Sequence, residues 1–138
     1  MPVMTEAQRE AFLAEAHVGV ISIARPDGPP LAVPIWYDYT PGGVVRVQTG
    51  PESVKYRLLT AAREFSLVAQ EETLPYRYVS VSGPVVAVEE KTSAADLAAM
   101  THRYFDPVRA AEYLRSIEGH TIATFHMRPE RWYSTDYS

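Results

Sequence analysis

The stretch Pro26-Asp27-Gly28-Pro29-Pro30 restricts this chain more than any other. Prolines and a glycine this dense cannot lie inside a helix or a central strand, so the chain turns here. Runs rich in apolar residues flank the turn. His17 to Arg25 carries Val18, Val20, Ile21 and Ile23, and Leu31 to Tyr39 follows, so the two read as the arms of a hairpin. Pro41-Gly42-Gly43 turns the chain again, into a third strand from Val44 to Thr49. Glu64 to Gln70 reads as a fourth strand. Tyr76 to Val88 alternates as a long fifth, with Gly83-Pro84 as a kink or bulge, and His120 to Met127 is the sixth.

Helices interrupt this series at three places. Thr5 with Gln8 three residues on is a capping box, which opens a helix running to Ala16. Pro51 suits a first helical turn, and Val54, Leu58 and Ala61/Ala62 continue an apolar stripe to Ala62. Thr92 to Ile117 is helical, divided in two at Asp106-Pro107 and stopped by Gly119. The tail from Arg128 to Ser138 holds Trp132, Tyr133 and Tyr137 and packs on something, because terminal residues are otherwise seldom aromatic. Six strands joined mostly by tight turns predict a mainly β fold with flanking helices, an antiparallel barrel closed or half closed. At 138 residues the expectation is one domain, 1–138.

Several kinds of chemistry are missing. There is no cysteine, which excludes disulfides, thiol nucleophiles, iron–sulfur clusters and zinc sites with Cys ligands. A net charge of −4 argues against a broad nucleic-acid face. No apolar run is long enough to span a membrane, and Met1 to Glu15 is too mixed and acidic for a signal peptide, so the expected location is cytoplasmic. There is no P-loop, nucleophile elbow, His-Glu-x-x-His or Gly-x-Gly-x-x-Gly. His120 and His126 stand about 20 Å apart along one strand and cannot share a metal; no metal is expected. No residue stands out as an acid or base.

The segment from Val47 to Arg57 is the most informative. A strand ends, Gly50-Pro51 turns, and a helix begins with unpartnered N–H groups beside Thr49, Ser53 and Lys55. A cation at a helix N-terminus opposes the macrodipole unless an anion shares the spot. Only two lysines stand against eleven arginines, so Lys55 is not background. The segment is a phosphate cradle or a capped helix with solvated charges. Pro34 breaks a ladder beside Trp36 and Tyr37, which wall a flat aromatic ligand or join the core. Tyr76 to Gly83 faces a pocket, a partner or solvent.

In this order and spacing, these segments resemble the pyridoxamine 5′-phosphate oxidase-like superfamily of flavin-binding split β-barrels. The likeness runs from about His17 to Gly83 and more loosely to Trp132. It rests on Val18-Gly19-Val20-Ile21-Ser22, Arg25-Pro26-Asp27-Gly28, Val33-Pro34-Ile35-Trp36-Tyr37, Thr49 with Lys55, Ser66-Leu67-Val68, and Tyr76 to Gly83. The run Pro75-Tyr76-Arg77-Tyr78-Val79 is similar to the branch using deazaflavin F420. The resemblance implies a six-stranded antiparallel Greek-key split barrel, homodimeric, with a cofactor at the subunit interface. Val33, Pro34, Ile35, Trp36 and Tyr37 would lie along the ring. Gln48 and Thr49 would meet the ribityl and phosphate region, Ser53 and Lys55 would hold the phosphate, and Trp132 of the second subunit would close over the cofactor. Where the family often has Arg before the Lys this chain has Val54, with Arg57 as the substitute. Tyr78 stands where the oxidase proper has Gln, which argues against pyridoxamine phosphate oxidation. Tyr37 and Tyr78 are proton donors or packing residues. The implied function is an F420- or FMN-dependent oxidoreductase acting on a small organic molecule. Its rivals are a flavin, haem or polypyrrole carrier of the same fold and a structural dimer without cofactor.

Overall fold

In the computed structural model, which describes residues 2–138, Thr5 opens α1 (Glu6–Ala14) with the expected capping box. Its hydroxyl accepts from the Gln8 N–H at 3.1 Å, and the Gln8 side chain accepts from the Thr5 N–H at 2.8 Å. The hairpin β1 (Gly19–Arg25) and β2 (Gly28–Ile35) follows, then β3 (Tyr37–Tyr39) and β4 (Val45–Thr49). Next come α2 (Val54–Ala62), β5 (Glu64–Glu71), β6 (Arg77–Glu89), α3 (Ala94–Tyr104) and α4 (Pro107–Ser116). The described chain ends with β7 (Ala123–Met127) and β8 (Arg131–Asp136). All pairings are antiparallel, in the order β2-β1-β5-β6-β7-β4-β3 with β8 also on β6. The sheet curls into a half-barrel around Leu13, Ile21, Ile23, Tyr37, Val45, Val47, Leu59, Leu67, Val79, Val81, Phe125 and Met127.

The described residues form eight strands, not six, for two reasons. The run from Leu31 to Tyr39 is interrupted at Trp36 because its partner changes: Ile35 faces Gly19 of β1, whereas Tyr37 faces Val47 of β4. The tail supplies β8, pairing Arg131 with Ser82 and Asp136 with Arg77. Both β7 and β8 lie on β6, and the chain passes from one to the other at Gly83-Pro84. Arg128 N–H donates to Pro84 O at 3.0 Å and Glu130 N–H to Ser82 O at 2.9 Å. A Cβ on residue 83 would stand 1.8 Å from the Arg128 carbonyl oxygen, so only glycine fits.

Helix boundaries differ slightly from expectation. α2 starts at Val54 rather than Pro51, because Ser53 is its cap and accepts from Tyr56 N–H at 3.1 Å. The division at Asp106-Pro107 holds: Asp106 caps α4, accepting from Arg109 N–H at 2.9 Å, and Pro107 is its first residue. The two ends of the described chain meet. Asp136 N–H donates to Pro2 O at 2.9 Å, and Met4 N–H to Ser134 Oγ at 3.3 Å. Among the described residues no helix is long and apolar enough to cross a membrane.

Glu10 ties α1 to the β3–β4 hairpin. Its carboxylate accepts from Tyr39 Oη at 2.7 Å and from Gly42 N–H at 2.8 Å. These bonds hold its pKa below the ordinary 4.5, while burial and the Glu10 bond push Tyr39 up to about 12. A depressed carboxylate pKa stabilises the folded state above the unfolded value and loses that effect as pH falls through the folded one. Glu10→Gln is therefore expected to lower the melting temperature at pH 7. The gap to the wild type should close as pH falls below 4.5; a gap constant with pH would contradict this.

Candidate functional site

On the strand that breaks at Trp36, side chains alternate. Val33 and Ile35 point into the core side, Pro34 lies on the outer face, and Tyr37 is fully buried. Trp36, at the break, is half-buried and held among aromatic rings. Tyr104 stacks on it at 4.9 Å and 7°, Phe105 meets it edge-on at 4.9 Å, and Tyr113 is tilted at 5.6 Å. Tyr104 and Phe105 belong to the end of α3 and Tyr113 to α4, so the helical pair packs onto the strand break.

Between this aromatic group and the N-terminus of α2 lies a cavity of about 330 Å3. Pro34, Ile35, Trp36, Gln48, Thr49, Ser53 and Lys55 all line it. Lys55 is the one charged side chain in the lining, and none of the ion pairs among the described residues engages it. The two hydroxyls lie against each other: Thr49 Oγ1 and Ser53 Oγ are 2.7 Å apart, and Ser53 also donates to Gly50 O at 2.8 Å. The donors left to meet an anion are the Lys55 ammonium and the N–H groups of Val54 and Lys55, because the Tyr56 N–H is taken by the Ser53 cap. Gln48 reaches the other way, its Nε2 donating to Asp96 O of α3 at 3.4 Å.

The remaining expected residues lie elsewhere in the chain. Val33 packs against the core. Tyr37 donates its hydroxyl to Leu13 O at 2.7 Å, and burial pushes its pKa far up, so its proton is held in the interior. Arg57 is exposed and lines a separate shallow groove with Glu52 and Tyr56, because two residues along a helix turn a side chain about 200° from Lys55. Tyr78 accepts from Thr135 Oγ1 at 3.0 Å and stacks with Tyr133 at 6.1 Å. Trp132 faces its own core, edge-on to Tyr39 at 6.1 Å, with the Arg9 guanidinium 4.5 Å over its ring.

Leu97, Met100, Thr101, Tyr113, Ile117 and Ile122 complete the cavity wall, and sequence reasoning missed them. Their signal was present as helical spacing in Leu97/Met100/Thr101 and Tyr113/Ile117, but spacing does not say which part of a sheet a helix covers. The cavity thus has a cationic end at α2 and an apolar, aromatic end at α3–α4. It suits a flat ring carrying an anionic arm.

The chain matches the pyridoxamine 5′-phosphate oxidase family over residues 4–136. No curated protein matches it. Among solved structures, an F420 reductase has a TM-score of 0.72 at 23% identity, over 90% of this chain and 94% of that one. An FAD-binding protein from Mesorhizobium loti has 0.64 at 19%, over 96% and 94%. A haem-binding protein from Mycobacterium smegmatis has 0.64 at 20%, over 97% of this chain and 59% of that one. At these identities the likenesses speak for the fold. With the family match running from the N-terminal helix through β8, this chain belongs to the pyridoxamine 5′-phosphate oxidase family.

Proposed function

We propose that the protein is an oxidoreductase that binds a deazaflavin (F420) or FMN, with F420 first, at a site shared by two copies of the chain. The carrying observation is the cavity itself, with Lys55 as its one charge and Trp36 among apolar side chains at the other end. A bound flavin or deazaflavin supplies the hydride chemistry. The chain's own residues anchor the phosphate, orient the ring and keep water from one side of it. No carboxylate or histidine lines the cavity, which suits direct hydride transfer with the proton taken from solvent. The missing histidine also leaves the haem-carrier reading without its commonest nitrogen ligand.

Two features support a site completed by a second copy. A cavity near 330 Å3 is at the small end for a cofactor site, where roughly 300–1,000 Å3 is usual. Its rim residue Pro34 continues onto the outer face of the sheet, opposite Val20, then Val68 and Ser80. The neighbouring row is Ala32, Ser22, Ser66 and Ser82. On β2, β1, β5 and β6 these side chains are small and uncharged, before the rows end at Tyr133 and Arg131 of β8. This supports another sheet approaching that part of the face and bringing its residues to the open side.

The test is titration of F420, FMN and haem with micromolar protein, followed by cofactor fluorescence and the Soret band. Quenching of F420 or FMN is the expected result; binding of neither overturns the reading. Faster reoxidation of the bound, reduced cofactor by an added organic acceptor distinguishes an enzyme from a carrier. Sedimentation should give twice the 15.4 kDa chain mass, and a monomer would remove the shared site.

A further inference from the structure

Where β2 gives way to β3, the chain leaves one neighbour before it has fully joined the next. The backbone polar groups of Tyr37 that do not face β4 need partners, and β3 is the last strand of the sheet order. One side chain supplies both. Tyr104 Oη accepts from Tyr37 N–H at 3.1 Å and lies 2.7 Å from Tyr37 O and 2.7 Å from His17 O. A phenol has one proton, so it donates to one of these carbonyls at a time. Burial raises the Tyr104 pKa, which keeps that proton in place. The same residue lays its ring flat on Trp36. The neighbouring Arg103 locks the corner from behind, donating to Ala14 O at 3.0 Å and Glu15 O at 2.7 Å with its guanidinium over the Tyr37 ring.

We propose that Tyr104 is the positioning residue of this site: its hydroxyl stands in for a missing strand at the β2–β3 break, and its ring fixes the indole of Trp36 as a rigid wall for the cofactor ring. Tyr104 is absent from the cavity lining, so it acts through Trp36. The inference rests on the proposed cofactor reading for its effect on affinity, but not for its effect on Trp36.

The test uses Tyr104→Phe, which keeps the stacked ring and removes the hydroxyl, in a Trp132→Phe background where Trp36 is the one tryptophan left. The Trp36 emission maximum should shift and broaden. The Kd for whichever of F420 or FMN the parent binds should rise about tenfold. Tyr56→Phe removes a comparable hydroxyl, bonded to Glu90 outside the cavity, and should change neither. Unchanged emission with a Kd within twofold, in a folded Tyr104→Phe protein, overturns the inference. A parent that binds neither cofactor overturns the functional reading instead and leaves the emission result to decide this one. A third measurement needs no variant: the Tyr37 amide of the wild type should exchange with deuterium as slowly as core ladder amides. Exchange at the rate of an open sheet edge overturns the proposal.

Discussion

Lys55→Ala is expected to raise the Kd for F420 or FMN by about ten- to a hundredfold while leaving the melting temperature unchanged or slightly higher. Lys55 is half-buried, lines the cavity as its one charge, and has no acidic partner among the described residues. A charge-assisted contact to a phosphate is worth about 1.5–3 kcal/mol, which sets that range. Stability should move the other way, because a cation in the first turn of a helix works against its dipole by a few tenths of a kcal/mol. Losing affinity without losing stability marks a ligand-binding residue; losing both would mark a structural one. Added salt should weaken the wild type more than the variant. Titration calorimetry beside thermal melting checks the pair, and unaltered affinity would remove the anion cradle from the site.

Gly83→Ala is expected to cost about 3 kcal/mol or more of folding stability, larger than the usual overpacking penalty. The added Cβ would meet the Arg128 carbonyl oxygen at 1.8 Å, a backbone atom that no side-chain rotation can clear. Relief requires moving residues 128–130 away, which strains or breaks the bonds from Arg128 to Pro84 and from Glu130 to Ser82. Both lie where β7 passes into β8, so the damage spreads to β8 and its contacts with α1 through Trp132 and Arg9. Gly28→Ala is the control: a Cβ there meets nothing within 4 Å, and the change should stay within about 0.5 kcal/mol. Denaturant titration of the three proteins decides it, and comparable midpoints for both variants would contradict the close approach.

Signals carried by a few neighbouring residues were legible in the sequence. Thr5 with Gln8 and Asp106 with Pro107 fix local backbone geometry whatever surrounds them. The turn expected over Pro26 to Pro30 is confined to Pro26-Asp27, because Gly28 to Pro30 already belong to β2, an edge strand where prolines are tolerated. Gly83-Pro84 announced an irregularity, though not that another backbone presses on it. What depended on distant partners was hidden. Leu31 to Tyr39 alternates without a gap, and only the switch from Gly19 to Val47 as neighbour divides it at Trp36. The tail conceals β8 because its buried positions include Ser134 and Thr135, side by side and polar, where alternation would show an apolar residue. In the candidate site Pro34, Ile35, Trp36, Gln48, Thr49, Ser53 and Lys55 line one cavity although β2 and β4 are not neighbours in the sheet order, because the chain runs from β2 directly into β3, which pairs with β4. Val33, Tyr37, Arg57, Tyr78 and Trp132 lie outside that lining. The wall from α3 and α4 was not legible, since an amphipathic stripe names a buried side and leaves its counterpart open.

The hydrogen bond joining Asp136 to Pro2 has a consequence for how the molecule is made. Ribosomes deliver α1 before every described strand and β8 after the other seven, at about 5–20 residues per second. During that interval α1 has no β8 to lean on, and β6 shows an open edge where β8 will pair. Pairings this distant along the chain form late and slowly. The nascent protein is therefore most exposed to sticking and to chaperones while β8 is still to emerge, and a stall within β8 would hold the rest of the described fold in that condition.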